Sequence, residues 1–261
     1  MLSKARIKLI QSLHLTKNRR SAGLFTVEGT KIILELLRDQ PHLIDTIYAT
    51  DTWRFAHSDL LEAHIGIHVE AATDTELKAA SLLQSTPPVL ALVRIPTHTT
   101  TAAQLTARLQ QSPTLVPILT GIQDPGNVGT ILRTADWFGI PTLITTTDTA
   151  DLYNPKTLQA SMGAFLRLQV CRLTDEETLA LFADHPQLPR IGTVLSGNSL
   201  YTTPLPAAGF LLIGNEGQGI PTHFLDTLTL RVKIPAYGNT ESLNAAAATA
   251  IVLSDWRRTQ P

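Results

Sequence analysis

The sequence predicts an α/β protein: a mostly parallel sheet covered on both faces by helices, preceded by a smaller α/β region. Three observations carry this expectation. Apolar runs of strand length alternate with segments of helical period along most of the chain, the pattern of successive β-α-β units. Hydrophobic residues fill 43% of the 261 positions, which supplies ample core for one or two domains. Turn residues follow the runs at Asp124-Pro125-Gly126 and Tyr237-Gly238-Asn239.

The first region spans residues 1–95. Leu24 to Val27 reads as a strand, and Thr30 to Arg38 as a helix with Ile32, Ile33, Leu36 and Leu37 on one face. Ile44 to Ala49 follows as a strand, Asp51 to His64 as mostly helix, and Ile65 to Val69 as a strand. Thr73 with Glu76 three residues on has the spacing of a capping box. Val89 to Ile95 closes the region as a strand. Residues 96–114, rich in Thr, Gln, Ala and Pro, read as a linker with a helical stretch at Ala102 to Gln110.

The second region spans 115–261. Its expected strands are Leu115 to Ile122, Thr142 to Thr146, Leu166 to Cys171, Ile191 to Leu195, Phe210 to Ile213 and Leu228 to Ile234. Helices are expected at Val128 to Phe138, Thr174 to Ala183 and Leu243 to Trp256.

Charge is unevenly spread. The net charge is −1, yet residues 1–40 hold eight basic and three acidic side chains. Lys17, Arg19 and Arg20 form a compact basic cluster there. A basic end on a near-neutral chain points to a localised polyanion contact, or simply to a solvated helix. The single cysteine, Cys171, rules out an internal disulfide and a cysteine-rich zinc site, and fits a reducing cytoplasm. No apolar run reaches about 18 residues, so no membrane span is expected. The basic N-terminus lacks the apolar core of a secretory signal.

Three segments of the second region sit where a strand gives way to a helix or turn, the usual place for ligands in open α/β sheets. The first is Asn127-x-Gly129-x-x-x-Arg133. Asn127 suits a helix N-cap. Arg133, with Trp137 one turn on, faces away from the apolar side of that helix; the pair suits either a plain surface or a contact with RNA or a second subunit. The second is Gly214-Asn215-Glu216-Gly217-x-Gly219, whose glycines permit either a tight turn or a close backbone approach to a ligand. Glu216 at a sheet mouth calls for a partner. The third is Ser242-Leu243-Asn244 after Ile234-Pro235. Ser242 suits the N-cap of a largely buried helix, whose first-turn N–H groups could hold a polar or anionic group.

In this order and spacing the three segments resemble the motifs of the SpoU/TrmH family of SPOUT RNA methyltransferases. The resemblance implies a SPOUT-type α/β knot at 115–261, including a trefoil knot that no reading of strands and helices would propose. It implies a ribosomal-protein-like RNA-binding domain at 1–95, matched through the basic start and Phe25 to Gly29. It implies transfer of the methyl group of S-adenosyl-L-methionine to a ribose 2′-hydroxyl, without a metal, by a homodimer acting on ribosomal RNA first and transfer RNA second. Residue by residue it assigns Arg133, Asn127, Glu216, Asn244 and Ser242 to catalysis and Gly214, Ile234 and Leu243 to the cofactor, with Thr193, Ser196 and Gly197 beside the adenine. RNA would meet Lys17, Arg19 and Arg20. One departure is the alanine-rich run after Asn244, where many members carry Val-Ser-Val.

Two rivals make different demands. A dinucleotide-dependent oxidoreductase needs Gly-x-Gly-x-x-Gly between first strand and helix, and the turn at 123–127 has none. A non-enzymatic RNA-binding module would not require Arg133, Glu216 and Asn244 together.

Overall fold

The computed structural model describes residues 2–96 and 101–260; the part of the expected linker at 97–100 lies outside them. The chain forms two compact units.

The first unit begins with α1 (Lys4–Ser12) and α2 (Thr16–Ala22), then β1 (Leu24–Glu28) and α3 (Thr30–Asp39). Next come β2 (Ile44–Ala49), α4 (Asp51–Ala56), α5 (Ser58–Glu62), β3 (His68–Ala71), α6 (Asp74–Ala80) and β4 (Val89–Arg94). The strands form a mixed sheet in the order β1-β4-β2-β3. In α3, Ile33, Leu36 and Leu37 are fully buried, as helical spacing requires. The capping box of α6 is complete, and the Thr73 backbone N–H holds the Glu76 carboxyl below its ordinary pKa. One expected strand is displaced. Pairing with β2 starts at Thr46 opposite His68, so the ladder begins beyond the apolar Ile65, which is 92% exposed in the turn after α5.

The second unit holds α7 (Ala102–Gln111), β5 (Leu115–Thr120), α8 (Pro125–Trp137), β6 (Thr142–Thr146), β7 (Gln169–Leu173) and α10 (Asp175–Asp184). It continues with β8 (Arg190–Ser199), β9 (Gly209–Gly214), α11 (Thr222–Leu225), β10 (Leu230–Lys233) and α12 (Ala245–Arg258). Six strands pair in the order β10-β8-β9-β5-β6-β7, all in parallel. Every residue of β5 and β6 is buried, as a sheet covered on both faces demands. α7, in the stretch that composition marks as linker, puts Leu105 and Leu109 into the core with Val116, Phe182 and Phe210. β7 starts three residues later than expected, because Ala164–Leu166 is a turn of 3-10 helix. After β10, at the edge of the sheet, the chain returns to pack α12 on α8 and β9, the course a knotted SPOUT chain takes.

Residues Tyr153–Leu166, including α9 (Pro155–Ser161), fold with the first unit although β6 and β7 flank them. The Phe25 ring lies 4.6 Å from that of Tyr153 and meets Phe165 edge-on at 6.1 Å. Gln40 Nε2 donates to the Leu166 carbonyl at 2.7 Å. No helix among the described residues is long and apolar enough to cross a membrane.

Candidate active site

The three motifs meet at the carboxyl ends of β5 and β9 and the start of α12. β5 stops at Gly121, whose φ of +67° favours glycine. The N-cap of α8 is Asp124, not Asn127: its Oδ1 accepts from Asn127 N at 2.9 Å, and Pro125 takes the first helical position. Relieved of capping, the Asn127 side chain reaches across to the other two motifs. Its Nδ2 donates to Glu216 Oε1, and its Oδ1 accepts from Asn244 Nδ2 at 2.9 Å. Likewise the N-cap of α12 is Asn244, not Ser242. Asn244 has extended backbone, and its Oδ1 accepts from Ala246 N and Ala247 N at 2.9 and 3.2 Å. Two of the first-turn donors are thereby satisfied within the helix itself. The result is one hydrogen-bonded line, Glu216–Asn127–Asn244–α12, in which each amide donates at one end and accepts at the other.

Beside this line lies a cavity of about 690 Å³, within the range of a site for a nucleoside-sized ligand. Thr193, Ser196, Gly214, Glu216, Ile234, Ser242 and Leu243 all line it. Gly197 does not. A β-carbon there would lie 2.6 Å from the Val232 backbone, so this glycine permits β8 and β10 to touch. The ladder explains the opening of the cavity. Arg231 pairs with Gly192, but Val232 pairs with Asn198, so residues 193–197 bow out of the sheet and form a wall. Gly214 is also fixed by space, since a β-carbon would sit 2.3 Å from the Gly219 carbonyl carbon. Leu195 and Leu243 offer half-exposed or exposed apolar surface, and Glu216 and Glu241 set two carboxylates on the lining. Apolar walls with carboxylates suit a cationic sulfonium nucleoside.

Arg133 stands apart. Six residues beyond Asn127 on α8 is one and two-thirds turns, which places it on another face. It is exposed, has no hydrogen-bond or ion-pair partner among the described residues, and does not line the cavity. Trp137, four residues on, is 83% exposed. In the first unit, Lys17 and Arg20 are exposed but Arg19 is 1% exposed. Its guanidinium donates to the Leu13 and His14 carbonyls at 2.7 and 2.9 Å and to Thr16 Oγ1 at 2.9 Å. Arg19 thus closes the C-terminal end of α1 and is not presented to a polyanion, contrary to the charge reading. Sequence reasoning passed over Asn215, although an Asn entering a glycine-rich turn is a signal for side-chain capping of that turn.

A parallel sheet with this return of α12, and a cavity built by three loops, is the arrangement that the resemblance to the SPOUT class of methyltransferases implies. Comparison with known proteins agrees. Residues 114–254 match the SpoU rRNA Methylase family, and residues 4–91 match the MRM3-like substrate binding domain. The chain is 29% identical over 252 residues to the 23S rRNA (guanosine(2553)-2′-O)-methyltransferase RlmP of Bacillus subtilis, covering 95% of this chain and 94% of the relative. A solved structure from Porphyromonas gingivalis, assigned to the TrmH family of RNA methyltransferases, superposes with a TM-score of 0.82 at 37% identity over 100% of both chains. The SpoU methyltransferase AviRb of Streptomyces viridochromogenes, solved with S-adenosylmethionine, gives 0.82 at 25% identity, covering 98% of each chain. The chain belongs to the SpoU rRNA methylase family and is an S-adenosylmethionine-dependent RNA methyltransferase.

Proposed function

We propose that this enzyme methylates a ribose 2′-hydroxyl of ribosomal RNA, with the cofactor in the cavity behind Glu216. The carrying observation is the meeting of all three motifs: Glu216, Asn127 and Asn244 share one hydrogen-bonded line beside a cavity lined by Gly214, Ile234 and Leu243. Ribosomal RNA is preferred to transfer RNA because the full-length relative RlmP is named for a 23S rRNA guanosine.

Bound there, S-adenosylmethionine supplies a methyl group on a sulfonium, a good leaving group that needs no metal. The protein has to align the hydroxyl and stabilise charge on its oxygen. Gly214 gives the close backbone approach, and Ile234 and Leu243 the apolar wall; Thr193 and Ser196 face the same space. Glu216 orients Asn127, and Asn127 with Asn244 and Ser242 hold the ribose and its phosphate. A guanidinium has five N–H donors and no acceptor, so Arg133 binds the adjacent phosphate and stabilises the developing alkoxide while the hydroxyl proton passes to water. Its exposed place beside Trp137 supports a homodimer in which it serves a site completed by a second copy. Lys17 and Arg20, on the unit matched by a substrate-binding model, meet RNA phosphates, each adding about 0.7–0.9 to the salt slope of binding. The division of labour is RNA binding at 1–95 and methyl transfer at 115–261. We place the enzyme in the cytoplasm, where the RNA is and where a lone cysteine stays reduced.

The test is incorporation of tritiated methyl into unmodified 23S rRNA. Arg133→Ala is expected to lower the rate about 100-fold or more and to leave S-adenosylmethionine affinity within about threefold. A folded Arg133→Ala enzyme with wild-type rate would overturn the assignment.

A further inference from the structure

The loop that carries Glu216 is held by its neighbour. Asn215 uses both ends of its side chain and both backbone groups. Its Oδ1 accepts from Gly217 N at 2.8 Å and Gln218 N at 3.1 Å, closing the turn beneath Glu216. Its backbone N–H and carbonyl pair with Gly219 at 3.1 and 2.8 Å, a one-residue antiparallel bridge. Its Nδ2 donates to the Gly121 carbonyl at 2.7 Å. This last bond matters most. The β5–β9 ladder ends at Thr120 opposite Gly214, and the bond from Asn215 to Gly121 extends the tie between the two strands one step past that end. Beyond it, among the described residues, the side-chain bond joining the first and second motifs is the one between Asn127 and Glu216.

We infer that Asn215 is a positioning residue for methyl transfer: by tying the Glu216 turn to Gly121, it sets the distance at which the Glu216 carboxylate meets Asn127. A carboxylate on a glycine-flanked turn has no other fixed register with α8. Gly217 and Gly219 bring no side chains of their own to hold the turn, and a shift of about 1 Å in such a group can cost about 100-fold in rate. Asn215 borders the cavity, but both polar ends of its side chain are spent on main-chain groups, so it acts through Glu216.

The inference rests on the reading of the site given above, and the experiment separates the two. Single-turnover transfer of tritiated methyl to unmodified 23S rRNA is measured for wild type, Asn215→Ala, Glu216→Ala and the double variant, at saturating S-adenosylmethionine. Asn215→Ala is expected to slow transfer about 10- to 100-fold, and to slow it no further once Glu216 is gone, because the group it positions is absent. Asn215→Asp keeps the acceptor for Gly217 and Gln218 and loses the donor to Gly121, so it should show a loss similar to Ala while preserving the turn; it stands in if Asn215→Ala does not fold. A wild-type rate in both Asn215 variants, or losses that multiply in the double variant, overturns the inference while the site reading stands. An inactive wild-type protein brings both down.

Discussion

The Glu216 turn and the basic N-terminal helices were both marked by their sequence, one by motif and one by charge, and the chain treats them in opposite ways. At the turn, polar side chains from positions 127, 216 and 244 converge on one another, beside a cavity that Glu216 lines. In the helices, neighbouring cations diverge. Lys17 and Arg20 face solvent, and Arg19 turns inward to satisfy two carbonyls. Backbone demand explains the difference. The end of α1 leaves carbonyls without helical partners, and a guanidinium with five donors satisfies several at once. At the Glu216 turn the backbone is already closed by Asn215 and the glycines, so the neighbouring side chains remain available for chemistry.

The comparison can be broken at several points. The largest expected effect is at Arg19. Arg19→Ala should cost about 2–4 kcal/mol of stability, since buried carbonyls lose a charged donor, whereas Lys17→Ala and Arg20→Ala should leave thermal unfolding within about 0.5 kcal/mol and reduce RNA affinity. Denaturant melts and salt-dependent RNA binding on the three variants decide this; a stable Arg19→Ala protein with weakened RNA binding would restore the simple charge cluster. Next comes glycine. Gly214→Ala forces a β-carbon onto the Gly219 backbone at 2.3 Å, for about 1–3 kcal/mol and loss of S-adenosylmethionine binding. Gly23→Ala meets nothing within 4 Å and pays only for its φ of +64°, roughly 1 kcal/mol, with cofactor binding intact. Calorimetric titration with the cofactor would show equal affinities if Gly214 were merely a turn residue.

The smallest effect sharpens the comparison of caps. Asn244→Ala and Thr73→Ala each remove an N-cap, for about 1 kcal/mol apiece. Methyl transfer should fall only for Asn244, whose Nδ2 also reaches Asn127. The Thr73 cap carries a pH signature as well. Because the folded protein holds Glu76 below its ordinary value, that contribution is present at neutral pH and fades as pH falls through the lowered value. Melts of wild type and Glu76→Ala should therefore converge in acid, where the carboxylate that accepts from the Thr73 backbone N–H is lost in wild type too; an offset that persists unchanged would remove Glu76 from the cap.

Much of this was legible in the sequence. β9 holds the unbroken apolar run Phe210–Ile213 with a glycine at each end, and β2 and β6 fall at their expected bounds although each carries polar residues. Of the residues expected around the cofactor, Gly214, Ile234, Leu243, Thr193 and Ser196 line the cavity and Gly197 does not. Both misplaced caps share a cause: two candidate capping residues lie within three positions of each other, and choosing between them requires knowing which side chain is needed elsewhere. Pro125 was the overlooked local signal for Asp124. α9 was missed because its apolar partner, Phe25, lies some 130 positions upstream, beyond any periodic reading. Arg19 was misread because its partners are main-chain carbonyls, which sequence does not display.

The excursion of Tyr153–Leu166 limits how this protein can be cut. A gene fragment trimmed at the linker would strip Tyr153 and Phe165 of the ring they pack on and leave two aromatics bare in a recombinant methyltransferase half. Swapping N-terminal segments between relatives would, by the same logic, have to carry this crossover along to yield a well-behaved chimera.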